Sequence, residues 1–220
     1  MKYPIGIQTF GQIINGGFVY VDKTDLLYRL VSTGKVYFLG RPRRFGKSLL
    51  ISTLEAYFLG KKELFKGLAI DALEQEWKQY PVFHLDFNTG NYLNDGALEE
   101  VLSGEIARWE KQYGVERTYE DLGKRFQQVL HAAHKQTGLG AVVLIDEYDK
   151  PILDVLDMDF QVEHLGKTMT LEEKHRYIMK SFYATLKGAD ADLRFVFLTG
   201  VTKFSQISMF SGFNQPEDIS

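Results

Sequence analysis

The stretch from Val36 to Leu54 constrains the fold more than any other part of the chain. It runs through Val36-Tyr37-Phe38-Leu39-Gly40, then Arg41-Pro42-Arg43-Arg44-Phe45-Gly46-Lys47-Ser48, then Leu49-Leu50-Ile51-Ser52-Thr53-Leu54. An apolar strand-like run enters a loop, and Gly-Lys-Ser leads out into a helix-like segment. That is the context a phosphate-binding loop needs. Amides from Phe45, Gly46, Lys47, Ser48 and Leu49 would face phosphate oxygens at the helix start. Lys47 can reach the terminal phosphates, and the Ser48 hydroxyl can ligate Mg²⁺.

The pattern G-x-x-x-x-G-K-[ST] asks for glycine at 41, where the chain has arginine; Gly40 stands one residue early. Arg41, Arg43 and Arg44 surround the loop and can pair with phosphates, while Arg43 and Arg44 can instead reach acids on a neighbouring surface. The cluster is too short for a persuasive nucleic-acid patch. Pro42 stiffens the loop by fixing φ.

A net charge of -3 and a pI near 6.0 give no global bias toward nucleic acid. The chain has no cysteine, which excludes disulfides and thiolate metal sites. Met1-Lys2-Tyr3-Pro4 begins no signal peptide, and no apolar run approaches a membrane span of ~20 residues. The expected compartment is the cytoplasm, with no membrane partner.

In order along the chain, residues 1–20 read as a glycine-rich extended lead-in, with Val19 to Val21 as a short strand. Asp22 should cap a helix from Lys23 to Val31 with Leu26, Leu27 and Leu30 inward. That helix is either core or a neighbour of the base. Lys35 to Leu39 is a core strand, and 47–59 the helix after the loop, with Leu50, Leu54 and Phe58 toward the sheet and Gly60 as its stop. Residues 61–79 form a partly helical connection. Pro81 to Phe87 is a second strand. Asp95 to Tyr113 and Thr118 to Gln136 are helices, the second with a capping box from Thr118 and Asp121 and a stop at Gly140. Ala141 to Ile145 is a strand buried on both faces. Residues 149–169 read as a loop with a short helix, Thr170 caps a helix from Leu171 to Leu186, and Leu193 to Thr199 is a fourth strand. Strands alternating with helices predict an α/β fold with a mostly parallel sheet between two helical layers.

The run Val142 to Ile145 followed by Asp146-Glu147 has the form of a Walker B strand. Its aspartate would hold Mg²⁺ and its glutamate would polarise water, at strand ends where such sheets bind ligands. Thr199 closes the fourth strand, a place for a sensor of the terminal phosphate; Thr202 and Lys203 are alternatives. Asp86 is either a support behind that site or a satisfied strand-end carboxylate. The histidines show no metal-site spacing; His131 and His134 are three apart but suggest no third ligand.

Three segments, Tyr20-Val21-Asp22-Lys23-Thr24, Arg41 to Leu50, and Leu144-Ile145-Asp146-Glu147-Tyr148-Asp149-Lys150-Pro151, together with Phe197 to Ser205, resemble the AAA-ATPase-like proteins abundant in Bacteroides-type gut bacteria and other anaerobes. The resemblance spans nearly the whole chain. It implies that arginine at 41 is a family feature, and that residues 1–220 form one P-loop ATPase domain of the additional-strand class, with 1–34 as lead-in and helix. The strand ending in Thr199 would then lie between the two motif strands. The usual fifth strand, a helical lid and a PD-(D/E)XK nuclease-like half are expected to be missing from this stretch, and nucleic acid would enter only through that half.

The implied ligands are ATP and Mg²⁺. Glu147, Lys47 and Thr199 would be the catalytic residues, and Ser48 and Asp146 the metal ligands. Arg41, Arg43, Arg44 and Phe45 to Leu49 would bind nucleotide. Three readings stay open: an ATP hydrolase driving a conformational change, a nucleotide switch with little turnover, and an adaptor for a protein partner, for self-association or for nucleic acid.

Overall fold

Five consecutive apolar residues, Ala141 to Ile145, belong to a strand in which every residue is buried, and the rest of the molecule is layered on the two faces of its sheet. The computed structural model describes residues 1–202 and 216–220. Lys203, the Phe204-Ser205 end of the resemblance and most of the remainder from Phe204 to Ser220, too short for a further helix and strand together, lie outside the described residues.

The strands are β1 (Val36–Gly40), β2 (Val82–Asp86), β3 (Ala141–Asp146), β4 (Gln161–His164), β5 (Lys167–Thr170), β6 (Leu193–Gly200) and β7 (Glu217–Asp218). The helices are α1 (Phe10–Asn15), α2 (Thr24–Thr33), α3 (Lys47–Phe58), α4 (Ala69–Leu73), α5 (Ala97–Tyr113), α6 (Leu122–Thr137), α7 (Lys150–Leu153) and α8 (Leu171–Gly188). Five strands pair in parallel in the order β2-β3-β6-β1-β7, and β4 and β5 form a separate antiparallel hairpin.

Period-two alternation divides the sheet's side chains. Tyr37, Leu39, Val142, Leu144, Phe195 and Phe197 pack under Leu27, Val31, Ile51, Leu54 and Phe58 of α2 and α3. Phe38, Phe83, Leu85, Val143, Ile145, Val196 and Leu198 pack under α5, α6 and α8 through residues such as Leu102, Phe126 and Met179. Full burial of each such side chain stabilises the fold by roughly 1.5–3 kcal/mol. By the same parity, Asp86, Asp146 and Thr199 at the strand ends share the α3 face.

Several local expectations are corrected. The lead-in contains α1, whose Phe10 packs on Tyr20 and Phe65; Val19 to Val21 form no strand. The residue preceding α2 is Lys23, and the Asp22 carboxylate accepts from the first helical amide, Thr24 N, and from Ala69 N, tying α2 to α4. Leu26 is exposed, and Val31 takes the expected inward place. On α3, Ile51 is fully buried and Leu50 only half-buried, while Gly60 (φ +66) does end the helix.

Asp121, not Thr118, caps α6, accepting from Lys124 N at 2.8 Å, and Gly138 in the left-handed conformation ends it. Thr118 pairs instead with Gln128. The capping of α8 is as expected, with Thr170 and Glu173 forming a reciprocal box. The segment 149–169 holds the β4–β5 hairpin besides its short helix. A fifth strand is present: β7 lies beside β1, with Ile219 N donating to Phe38 O and Gly40 N to Ser220 Oγ.

Candidate functional site

The loop between β1 and α3 is exposed from Arg41 to Gly46. It bends through two left-handed residues, Arg44 (φ +69) and Gly46 (φ +78). Glycine takes that conformation freely, whereas arginine is strained there, and such strain gathers at functional loops. Gly46 brings no side-chain cap to α3, so among the described residues the amides of Lys47, Ser48 and Leu49 are the unpaired donors of a twelve-residue helix. Among the described residues Arg41, Arg43 and Arg44 make no ion pair.

Lys47 turns back under this loop. Its Nζ donates to Arg41 O at 2.8 Å and Pro42 O at 3.3 Å, and lies 3.0 Å from Glu147 Oε1. The lysine is 4% exposed, so its charge rests on these three oxygens rather than on water. The first motif and the acidic pair, a hundred positions apart (47 and 147), therefore meet at the carboxyl ends of the strands.

Across the β3–β6 boundary, Thr199 Oγ1 donates to Asp146 Oδ1 at 2.5 Å and accepts from Glu147 N at 3.3 Å. Thr199 is fully buried and Asp146 nearly so. Glu147 has φ +52, which turns its side chain off the β3 axis toward Lys47. Burial pushes the Glu147 carboxyl above its ordinary range, Lys47 pulls it back, and the neighbouring Asp146 and Asp149 add to the upward push. Asp86 stands beside Asp146 in the β2–β3 register, and its Oδ1 accepts from Asn88 N at 2.8 Å, capping the turn after β2. Thr202 lies three residues beyond Thr199, and its N and Oγ1 donate to Asp149 Oδ2. Ser48 and Leu49 are half-buried at the start of α3.

The sequence alone does not single out Asp149. An aspartate before Lys150-Pro151 looks like the cap of a short helix, and it does precede α7. Its carboxylate makes no cap bond, however. It is fully buried and accepts from Val201 N, Thr202 N and Thr202 Oγ1. Tyr148 completes the join: its N donates to Thr199 O and its hydroxyl to Thr202 O. A Cβ on Gly200 would lie 2.3 Å from the Tyr148 ring, so only glycine allows this approach. Gly200 O in turn accepts from Arg41 N at 3.1 Å, linking the β6 exit to the loop entrance.

Away from this site, His131 and His134 both approach Asp192. Among the described residues no group of three or more His, Cys, Asp or Glu side chains could hold a metal ion. No helix among them is long and apolar enough to cross a membrane.

Residues 4–210 match a protein family described as predicted AAA-ATPase. An uncharacterized protein in the vnfD 5′ region of Azotobacter chroococcum is 39% identical over 223 aligned residues. The match takes in all of this chain and 41% of that relative, so the chain spans less than half the relative's length. No solved structure matches.

Proposed function

The chain belongs to the predicted AAA-ATPase family, and from that premise we propose that it binds ATP at the start of α3 and hydrolyses it with Mg²⁺, coupling turnover to a conformational change. The observation that carries the reading is the meeting of Lys47 with Glu147 at 3.0 Å beside the Thr199–Asp146 hydrogen bond. In this reading the sheet is of the additional-strand class, supported by β6 lying between β1 and β3. Residues 1–220 then form one P-loop domain, in which α1 and α2 pack beside α3.

The roles follow from the chemistry of each group. The amides of Phe45 to Leu49 and the three exposed arginines bind phosphate oxygens. Lys47 exchanges its carbonyl and carboxylate partners for the terminal phosphates and stabilises charge on the transferring group. Glu147, released from Lys47, orients the attacking water. Thr199 senses the γ-phosphate through the hydroxyl that now joins Asp146 to Glu147 N.

Ser48 and Asp146 would hold Mg²⁺. Their hydroxyl and carboxylate oxygens are the hard donors this ion takes, and one or two protein oxygens suffice where phosphates and water complete its shell. The ion would supply charge neutralisation at the phosphates.

The test is an ATP titration with and without Mg²⁺, followed by phosphate release. Binding with slow or fast release supports the reading, and absence of binding refutes it. Glu147→Gln should keep ATP bound and lower turnover by at least about a hundredfold, the contribution of a positioned acid–base group. Equal turnover in that variant refutes the assigned role.

A nucleotide switch with little turnover is the second reading, favoured by the engagement of Lys47 with Arg41 O, Pro42 O and Glu147. Residual binding without release distinguishes it. An adaptor role rests on the exposed arginines alone. Protein partners and self-association enter as proposals, and nucleic acid only through a nuclease-like domain of the kind the resemblance implies.

A further inference from the structure

The exits of β3 and β6 are joined residue by residue. Asp146 accepts from Thr199 Oγ1, Glu147 N donates to the same hydroxyl, and Tyr148 N donates to Thr199 O. Asp149 then closes the set. Its Oδ2 accepts from Val201 N at 3.0 Å, Thr202 N at 2.7 Å and Thr202 Oγ1 at 2.8 Å. Glu147 sits inside this bracket with φ +52, a conformation a glutamate keeps only where its surroundings over-determine it.

From within this bracket the Glu147 side chain reaches Lys47, Oε1 lying 3.0 Å from Nζ. We propose that Asp149 is a positioning residue: by clasping the Val201–Thr202 turn, its buried carboxylate holds Glu147 in the pose that occupies Lys47. Lys47 is thus latched to Glu147, and an incoming phosphate must displace the carboxylate. The proposal rests on the nucleotide reading for its consequence, but its geometric core does not.

Three carboxylates, Asp146, Glu147 and Asp149, lie within four residues, and Glu147 is the one that pairs with Lys47 among the described residues. Asp149 does not touch that cation; its partners are amides and a hydroxyl. Removing it therefore acts on Lys47 only through Glu147. The two substitutions should be non-additive, as for groups that act as a unit.

The experiment measures the affinity of the full chain for a non-hydrolysable ATP analogue with Mg²⁺. Glu147→Gln should tighten binding about tenfold by removing the negative charge that holds Lys47, the equivalent of one charge-assisted contact. Asp149→Ala should tighten it by a similar factor, and the double variant no further. Asp149→Asn should bind as the parent does, because an amide oxygen in the Oδ2 position keeps all three shorter bonds. A merely structural role would lower the melting temperature of Asp149→Ala without moving affinity; that result, or additivity in the double variant, overturns the proposal.

Should Asp149→Ala fail to fold, Thr202→Val removes one donor from the clasp. It should tighten binding about twofold; unchanged affinity counts against the proposal. If neither the parent nor any variant binds the analogue, the nucleotide reading has failed, and a crystal structure of Asp149→Ala decides the remainder. Separation of Glu147 from Lys47 upholds the positioning claim, and the contact intact at its present length overturns it.

Discussion

Lys47 Nζ and Glu147 Oε1 lie 3.0 Å apart, one at the start of α3 and the other just past the end of β3. The parallel sheet makes this meeting possible. β1 and β3 both run toward the same edge, β6 separates them, and the loop after β1 returns across that edge. With two carbonyls and one carboxylate as its partners among the described residues, Lys47 is the group whose loss should be felt first by a bound phosphate.

Lys47→Ala should weaken binding of an ATP analogue by about 10- to 100-fold, the range for hydrogen bonds to a charged group. Calorimetric titration checks this; unchanged affinity would place the phosphates elsewhere.

Gly200→Ala tests the join between the strand exits. The added methyl would meet the Tyr148 ring at 2.3 Å and the Asp149 carboxylate at 2.9 Å. Overpacking of this kind costs about 1–3 kcal/mol. Chemical denaturation should show that loss, and a variant as stable as the parent would mean that the ring moves aside freely.

The α5–α6 contact offers a test remote from the site. Arg125, 1% exposed, is held by Glu110 through two hydrogen bonds of 2.8 Å and by Ser103. The bond and charge of Glu110 keep the Arg125 guanidinium above its ordinary pKa despite burial. Glu110→Ala strands that buried charge and should cost about 3–5 kcal/mol, whereas replacing both residues by apolar ones should cost far less. Equal losses in the two variants would show that packing, not charge, dominates there.

A pH dependence attaches to Glu55 and His84, which link α3 to β2 at 3.4 Å. Burial alone would lower the His84 pKa, but the hydrogen bond and charge of Glu55 outweigh it and raise the value above the ordinary 6.5. The bond from His84 lowers Glu55 below its ordinary 4.5. The histidine's contribution is complete below 6.5 and is lost as pH rises through its raised pKa. The glutamate's is present above 4.5 and is lost as pH falls through its lowered pKa. The coupling in a Glu55→Gln, His84→Gln double-mutant cycle should therefore be present near about pH 5.5 and absent near about pH 9. Equal coupling at both would contradict the ion-pair account.

The strongly patterned parts of this fold were legible in the sequence. The strands read over Lys35 to Leu39, Ala141 to Ile145 and Leu193 to Thr199 declare themselves by the apolar runs Val36 to Leu39, Ala141 to Ile145 and Phe195 to Leu198. The α5 row of Leu98, Leu102, Ile106 and Trp109 does so by period, and all four are buried. Parity within those strands also places Asp146 and Thr199 on one face.

What escaped was held by tertiary contact or by turn geometry. The short helix α1 has only Phe10 and Ile13 buried and depends on Phe10 N donating to Ser52 Oγ. The hairpin strands carry Val162 and Met169 as their apolar residues, and their signal is the turn at Leu165-Gly166, where both residues have positive φ. The strand β7 is two acidic residues long, too polar and short for any periodicity. Asp149 was hidden because a helix start accounts for an aspartate there, and only the folded chain shows its carboxylate turned toward Thr202.

The most direct test of the account is a structure of this chain with a non-hydrolysable ATP analogue and Mg²⁺. The account predicts the β- and γ-phosphates on the amides of Gly46 to Leu49, Lys47 Nζ turned from Glu147 to the γ-phosphate, and the ion between Ser48 and Asp146. An analogue bound elsewhere, with the Lys47–Glu147 contact unbroken, would contradict it.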